Sequence, residues 1–139
     1  MATYRIGVYG EVLKKKTRRS AISFARQLRR ELAKATPKDT GRAMSGWNAT
    51  VGAPDYSEPG LLSETITRAT ALKNGREDLE SFQLGEDFYI ANGVPYIGRL
   101  NDGWSKKAPA GFIETTIDEF AAGHAGFEDV SSVDIEEVE

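Results

Sequence analysis

The chain has no cysteine, and a single histidine, His124, among its 139 residues. These absences remove disulfide staples, a thiolate nucleophile, Cys-ligated zinc and any His-His metal motif. No apolar run approaches the ~20 residues that cross a bilayer, and the first residues, Met-Ala-Thr-Tyr-Arg-Ile-Gly, lack the apolar stretch of a signal peptide. Also missing are a Walker phosphate loop, a G-x-S-x-G elbow around Ser45 and a D-x-D-x-D-G calcium loop. His124 lies between Ala-Gly pairs, in sequence expected to be mobile, whereas a general base must be fixed near its proton. Glu77, Asp78 and Glu80, like Glu86 and Asp87, stand in turn-like sequence and are expected to be simply solvated. No catalytic residue, cofactor or metal is expected, and the chain does not read as an enzyme.

The composition that remains is ordinary: 40% hydrophobic and 28% charged, with 14 Gly and 5 Pro. That suits one domain with its own core, expected over 1–127. Residues 128–139 hold six acids and no base and are expected to form a solvated, poorly packed tail. Charge is strongly asymmetric. Residues 1–42 carry twelve Lys/Arg against three acids, and residues 43–139 carry six against eighteen, within a net charge of −3. A basic front and an acidic rear suit nucleic acid, an acidic protein face or further copies of the chain, unless both are plain solvated surface.

Residues 3–10 alternate loosely and suggest a short edge strand. Over 11–35, Ile22, Ala25, Leu28, Leu32 and Ala35 recur every three or four positions, the stripe of a long helix that Thr36-Pro37 ends. Lys15, Arg19, Arg26, Arg30 and Lys34 share another face. A turn over 37–41 leads to a strand over 45–51 and a polar loop over 52–61. A short helix follows over 63–72, with Ser63 as its cap. Two β-like pieces are expected at 81–84 and 87–91. Asn92-Gly93 reads as a hairpin turn, although Pro95 demotes the second arm. Residues 98–111 read as loop. Phe112, Ile113, Ile117, Phe120 and Ala121 mark a last helix stopped by Gly123 and Gly126. The sum is an α+β fold: a long N-terminal helix on a small antiparallel sheet, with one or two short helices.

Two tracts stand out: Thr36-Pro-Lys-Asp-Thr-Gly-Arg42 with Ser45-Gly-Trp47, and the run from Asn92 to Phe112. Both set aromatics beside backbone-permissive residues. Trp47, Tyr96 and Trp104 are either core plugs or interface anchors. The first tract supplies Pro37, Asp39, Thr40, Gly41, Arg42, Ser45 and Trp47. The second supplies Asn92, Pro95, Tyr96, Leu100, Gly103, Ser105, Ala108, Pro109, Gly111 and Phe112. In this order and separation, over residues 11 to about 121, they resemble a family of tailed-bacteriophage neck and tail-completion proteins, the one named after gene product ten of phage HK97. Ala43 stands where that pattern has Leu and Asn101 where Glu is common.

The resemblance implies a structural virion protein, made in the host bacterial cytoplasm and placed at the head–tail junction. It would form a ring, a hexamer or dodecamer, between connector and tail, touching neck, tail-terminator or tail-tube proteins and no membrane. A tail terminator capping the tube is the nearest alternative. A different class of reading comes from Lys14, Lys15, Lys16, Arg18 and Arg19, joined by Arg26 and Arg30: a non-specific nucleic-acid-binding module, or contact with DNA in the channel. No zinc-finger, RNP-like or basic-zipper signature accompanies these residues.

Overall fold

The computed structural model describes residues 3–13, 16–38, 41–58, 65–124, 127 and 134–138. The chain begins with strand β1 (Thr3–Val8), followed by a one-turn helix α1 (Gly10–Leu13) and the 18-residue helix α2 (Arg18–Ala35). The helical stretch expected over 11–35 is therefore two helices, and a strand precedes them. The division has a local cause: Thr17 is extended, and its Oγ1 accepts the Ser20 amide at 3.1 Å, so α2 is capped at that point. Ala21, Phe24, Ala25, Leu28, Leu32 and Ala33 form the buried stripe of α2, with Ile22 and Ala35 at its margin. Thr36 takes an extended conformation before Pro37 and ends the helix.

A 3₁₀ turn (Met44–Gly46) leads into β2 (Trp47–Val51). Helix α3 (Arg68–Lys73) is shorter than expected and starts after Thr67, whose side chain accepts the Thr70 amide; Ser63 lies outside the described residues. Then come β3 (Glu77–Asp78), β4 (Phe88–Asn92), α4 (Ile97–Asn101), α5 (Phe112–Ala122) and β5 (Asp134–Val138). The strands make one sheet in the order β3-β2-β4-β1-β5. Three pairings are antiparallel and β2–β3 is parallel, so the sheet is mixed and the class is α+β.

Several expectations change here. β1 is not an edge strand; it lies between β4 and β5. Asp134–Val138 is not a loose tail: it pairs residue for residue with β1, from Thr3↔Val138 to Gly7↔Asp134. Acid-rich composition reports what side chains do in water, whereas this ladder is made by the backbone. Asn92-Gly93 does not close a hairpin. β4 runs through Asn92, and its partners are β1 and β2, while residues 94–96 turn into α4 within the stretch read as loop. Residues 81–84 form no strand; Leu79 and Phe82 reach the core from a turn.

The register aligns Tyr4, Asn92 and Trp47, then Ile6, Ile90 and Ala49, then Val8 and Phe88 with Val51, on one face of the sheet. This face joins α2 and α5 in a single core, where the Phe24 ring stacks on Phe127 at 4.4 Å and tilts against Phe120 at 5.3 Å. The opposite face carries Arg5, Gly7, Tyr89, Asn48 and Thr50. Asn48 Nδ2 donates to the Asp55 and Ser57 carbonyls, both at 2.8 Å, which lays residues 53–57 against that face. Gly75 permits the parallel β2–β3 approach. Its φ is +93°, and a Cβ there would lie 2.2 Å from the Trp47 carbonyl oxygen.

Candidate functional site

The two sequence tracts meet in space. Asn92, buried at the end of β4, donates through Nδ2 to the Ala43 carbonyl at 2.9 Å, 49 residues away in sequence. Its Oδ1 accepts the Val94 amide, also at 2.9 Å, which turns the chain out of the strand. Arg42 grips Glu58 with two hydrogen bonds, Nε–Oε1 at 2.7 Å and Nη2–Oε2 at 3.2 Å, and its Cζ stands 5.6 Å from the Tyr96 ring centroid. The Glu58 hydrogen bond raises the Arg42 guanidinium above its ordinary value, against the opposing effect of burial. Lys107 donates to the Lys38 carbonyl at 2.6 Å, a third link between the tracts.

Within this junction most residues are framework. Trp47 is fully buried, and its Nε1 donates to Thr36 Oγ1 at 2.8 Å; it is a core plug, not an anchor. Gly41 is buried at φ +99°, and a Cβ there would meet Ile66 at 2.5 Å. Tyr96 and Leu100 are half-buried and Phe112 is in the core. Asn101 is a node: its Oδ1 accepts the Ile113 amide at 2.9 Å, and its Nδ2 faces both Glu114 carboxylate oxygens at 3.0 Å. It fixes the loop over 102–111 to the start of α5, with Gly103 at φ +91° and Gly111 at φ +76° shaping the ends of that loop. What the loop displays is Trp104, 71% exposed, with the Arg99 guanidinium 5.0 Å from its ring centroid. Pro95 is half-buried in the preceding turn, and Lys106 and Pro109 are exposed. Asp39 and Thr40 lie outside the described residues.

The basic run behaves differently from its sequence reading. Lys14 and Lys15 lie outside the described residues. Lys16 Nζ stands 4.8 Å from the Phe127 ring centroid. Arg18 donates from Nε to the Phe82 carbonyl at 2.6 Å and from Nη2 to that of Glu80, tying α2 to the turn below it, whereas Arg19 is exposed. Arg26 and Arg30 pair with Glu77 while staying largely at the surface.

Glu77, expected to be simply solvated, is instead the acceptor of an arginine cluster. Its Oε1 accepts Arg29 Nε at 2.9 Å and Arg30 Nε at 3.1 Å; its Oε2 lies 3.2 Å from Arg26 Nε. Arg29 is 2% exposed and also reaches the Asn74 carbonyl at 3.2 Å and those of Trp47 and Leu72 at 3.4 Å. Burial pushes the Glu77 carboxyl upward, but the Arg29 and Arg30 hydrogen bonds and charges outweigh it and hold the group below its ordinary value. The signal was present in α2: Arg29 shares the apolar face with Ala25 and Leu32, and a charge on that face requires a partner.

His124 is not free in mobile sequence. Its Nδ1 lies 2.7 Å from the Phe120 carbonyl and its ring 3.9 Å from that of Phe120. Among the described residues no three His, Cys, Asp or Glu side chains converge as a metal site, and no helix is long and apolar enough to cross a membrane. The arrangement offers binding surfaces: a presented aromatic loop and a cation-rich cleft beside Glu77. Comparison with family models, curated proteins and solved structures found no match to the chain.

Proposed function

We propose that the chain is a structural virion protein of a tailed bacteriophage, a neck or tail-completion protein that forms a ring at the head–tail junction and joins the connector to the tail. The observation that carries this reading is the junction itself. Tracts that resemble the family pattern in order and spacing are held together by Asn92–Ala43, Arg42–Tyr96 and Lys107–Lys38, and they present Trp104 to solvent. An exposed tryptophan backed by arginine is the composition of an interface anchor. A long helix lying against a small, mostly antiparallel sheet agrees with the same reading.

Loss of the protein from its phage is the test. Filled heads and full-length tails that fail to join are expected. Tails of uncontrolled length would replace this reading with that of a terminator. The nucleic-acid module makes a different prediction: the purified chain would bind duplex DNA with a log-log salt slope of about −0.9 per phosphate contact. Replacing Lys14, Lys15, Lys16 and Arg19 by Ala would then abolish that binding. Particles that incorporate the quadruple variant and join normally are expected instead.

A further inference from the structure

We propose that copies of the chain join head to tail, the acidic edge strand β5 of one copy seating against the basic cleft between α2 and α3 of the next. This deepens the ring reading above and rests on it. The cleft has a volume of about 630 Å³ and is lined by Arg29, Arg30, Lys34, Leu72, Lys73 and Glu77. Its cations outnumber its carboxylates: Glu77 faces three guanidiniums, Lys34 on the exposed rim pairs with Glu31 at 3.2 Å, and Lys73 also stands exposed there. Arg68 adds a further cation beside it, held by the Lys34 carbonyl at 2.7 Å.

β5 carries Asp134, Glu136 and Glu137 on one edge of the sheet, whereas the cleft follows β3 at the opposite edge. Four strand spacings separate the edges, about 19 Å. That exceeds the ~8 Å screening length at physiological ionic strength, so the two charge sets cannot neutralise each other within one copy. Between copies they can. Such a contact uses one edge of each partner and leaves the other free, a heterologous interface that closes into a ring when the rotation allows. Among the described strands β5 pairs with β1 alone, and an edge strand pairs or packs readily. The Glu77 carboxylate and the apolar Leu72 and Ala69 in the cleft wall favour a peptide edge over a phosphate backbone.

Sedimentation of the full chain across concentration and salt tests this. The wild type should self-associate, with affinity falling at least tenfold between 50 and 500 mM salt. Lys34→Glu/Lys73→Glu, on the exposed rim, should weaken association at least tenfold while lowering the urea midpoint only slightly, through loss of the Lys34–Glu31 pair. Asp134→Lys/Glu137→Lys reverses β5 while sparing Glu136, which registers opposite Arg5. It should be equally weak alone, yet mixing the two variants should restore assembly, because every contact in an alternating array is again complementary. The rim variant alone suffices should the strand variant not fold. Unaltered assembly of the rim variant overturns the proposal, as does a wild type that stays monomeric to 1 mM. A rim variant that loses duplex DNA binding but assembles normally overturns it in favour of nucleic acid. In each of these cases joining of heads and tails in the phage still judges the neck reading separately.

Discussion

A single carboxylate, Glu77, organises three guanidiniums, and one of these, Arg29, is almost wholly withdrawn from water. Glu77→Gln keeps the shape but leaves Arg29 without its counter-charge. We expect a loss of about 2–3 kcal/mol in urea unfolding at pH 7, less than for a fully buried pair because Glu77 retains some solvent contact. The pH dependence follows from the lowered carboxyl. Its stabilisation is complete above the ordinary value of 4.5 and is lost as pH falls through the lower folded value, so the wild-type advantage over Glu77→Gln should shrink below about pH 4.5. Trp104→Ala makes the opposite case. An exposed ring should cost under about 0.5 kcal/mol of stability, while its removal should abolish head–tail joining in a particle assay. At this scale the sequence marked Trp104, Asn92 and Gly41 as unusual. It did not separate anchor from plug, since Trp47 and Trp104 differ in burial rather than in local pattern.

Helices α2 and α5 were legible because apolar spacing and the breakers Pro37 and Gly123 act locally. β5 was not, because its partner lies at the far end of the chain and its side chains advertise solvent. β3, two residues long, has no pattern at all and owes its position to Gly75 beside Trp47. Asn92-Gly93 misled for a physical reason: Asn suits tight turns by bonding nearby backbone, and here it uses that capacity to hold Val94 and a distant carbonyl. Removing residues 128–139 would strip β1 of one ladder. We expect a thermal midpoint lower by several degrees, equivalent to about 1–3 kcal/mol, and increased aggregation through the newly open edge, read by light scattering.

Across the described residues the first and last strands of the sheet are neighbours, under helices drawn from the middle of the chain. Such long-range closure couples every element to one core and predicts a single cooperative transition. In a Trp104→Phe variant, Trp47 is the remaining tryptophan. Its fluorescence and far-UV circular dichroism should then report the same urea midpoint; two separated midpoints would mean that β2 and the helices unfold independently. Thr3 stands opposite Val138 across the last ladder. A linker of a few residues from Val138 to Thr3 would therefore close this span into a circle, and reopening it between Ser105 and Lys107 would yield a circular permutant. The described strands would keep their pairings, and the new termini would emerge beside Trp104, bringing any fused label to the face proposed to meet the next component.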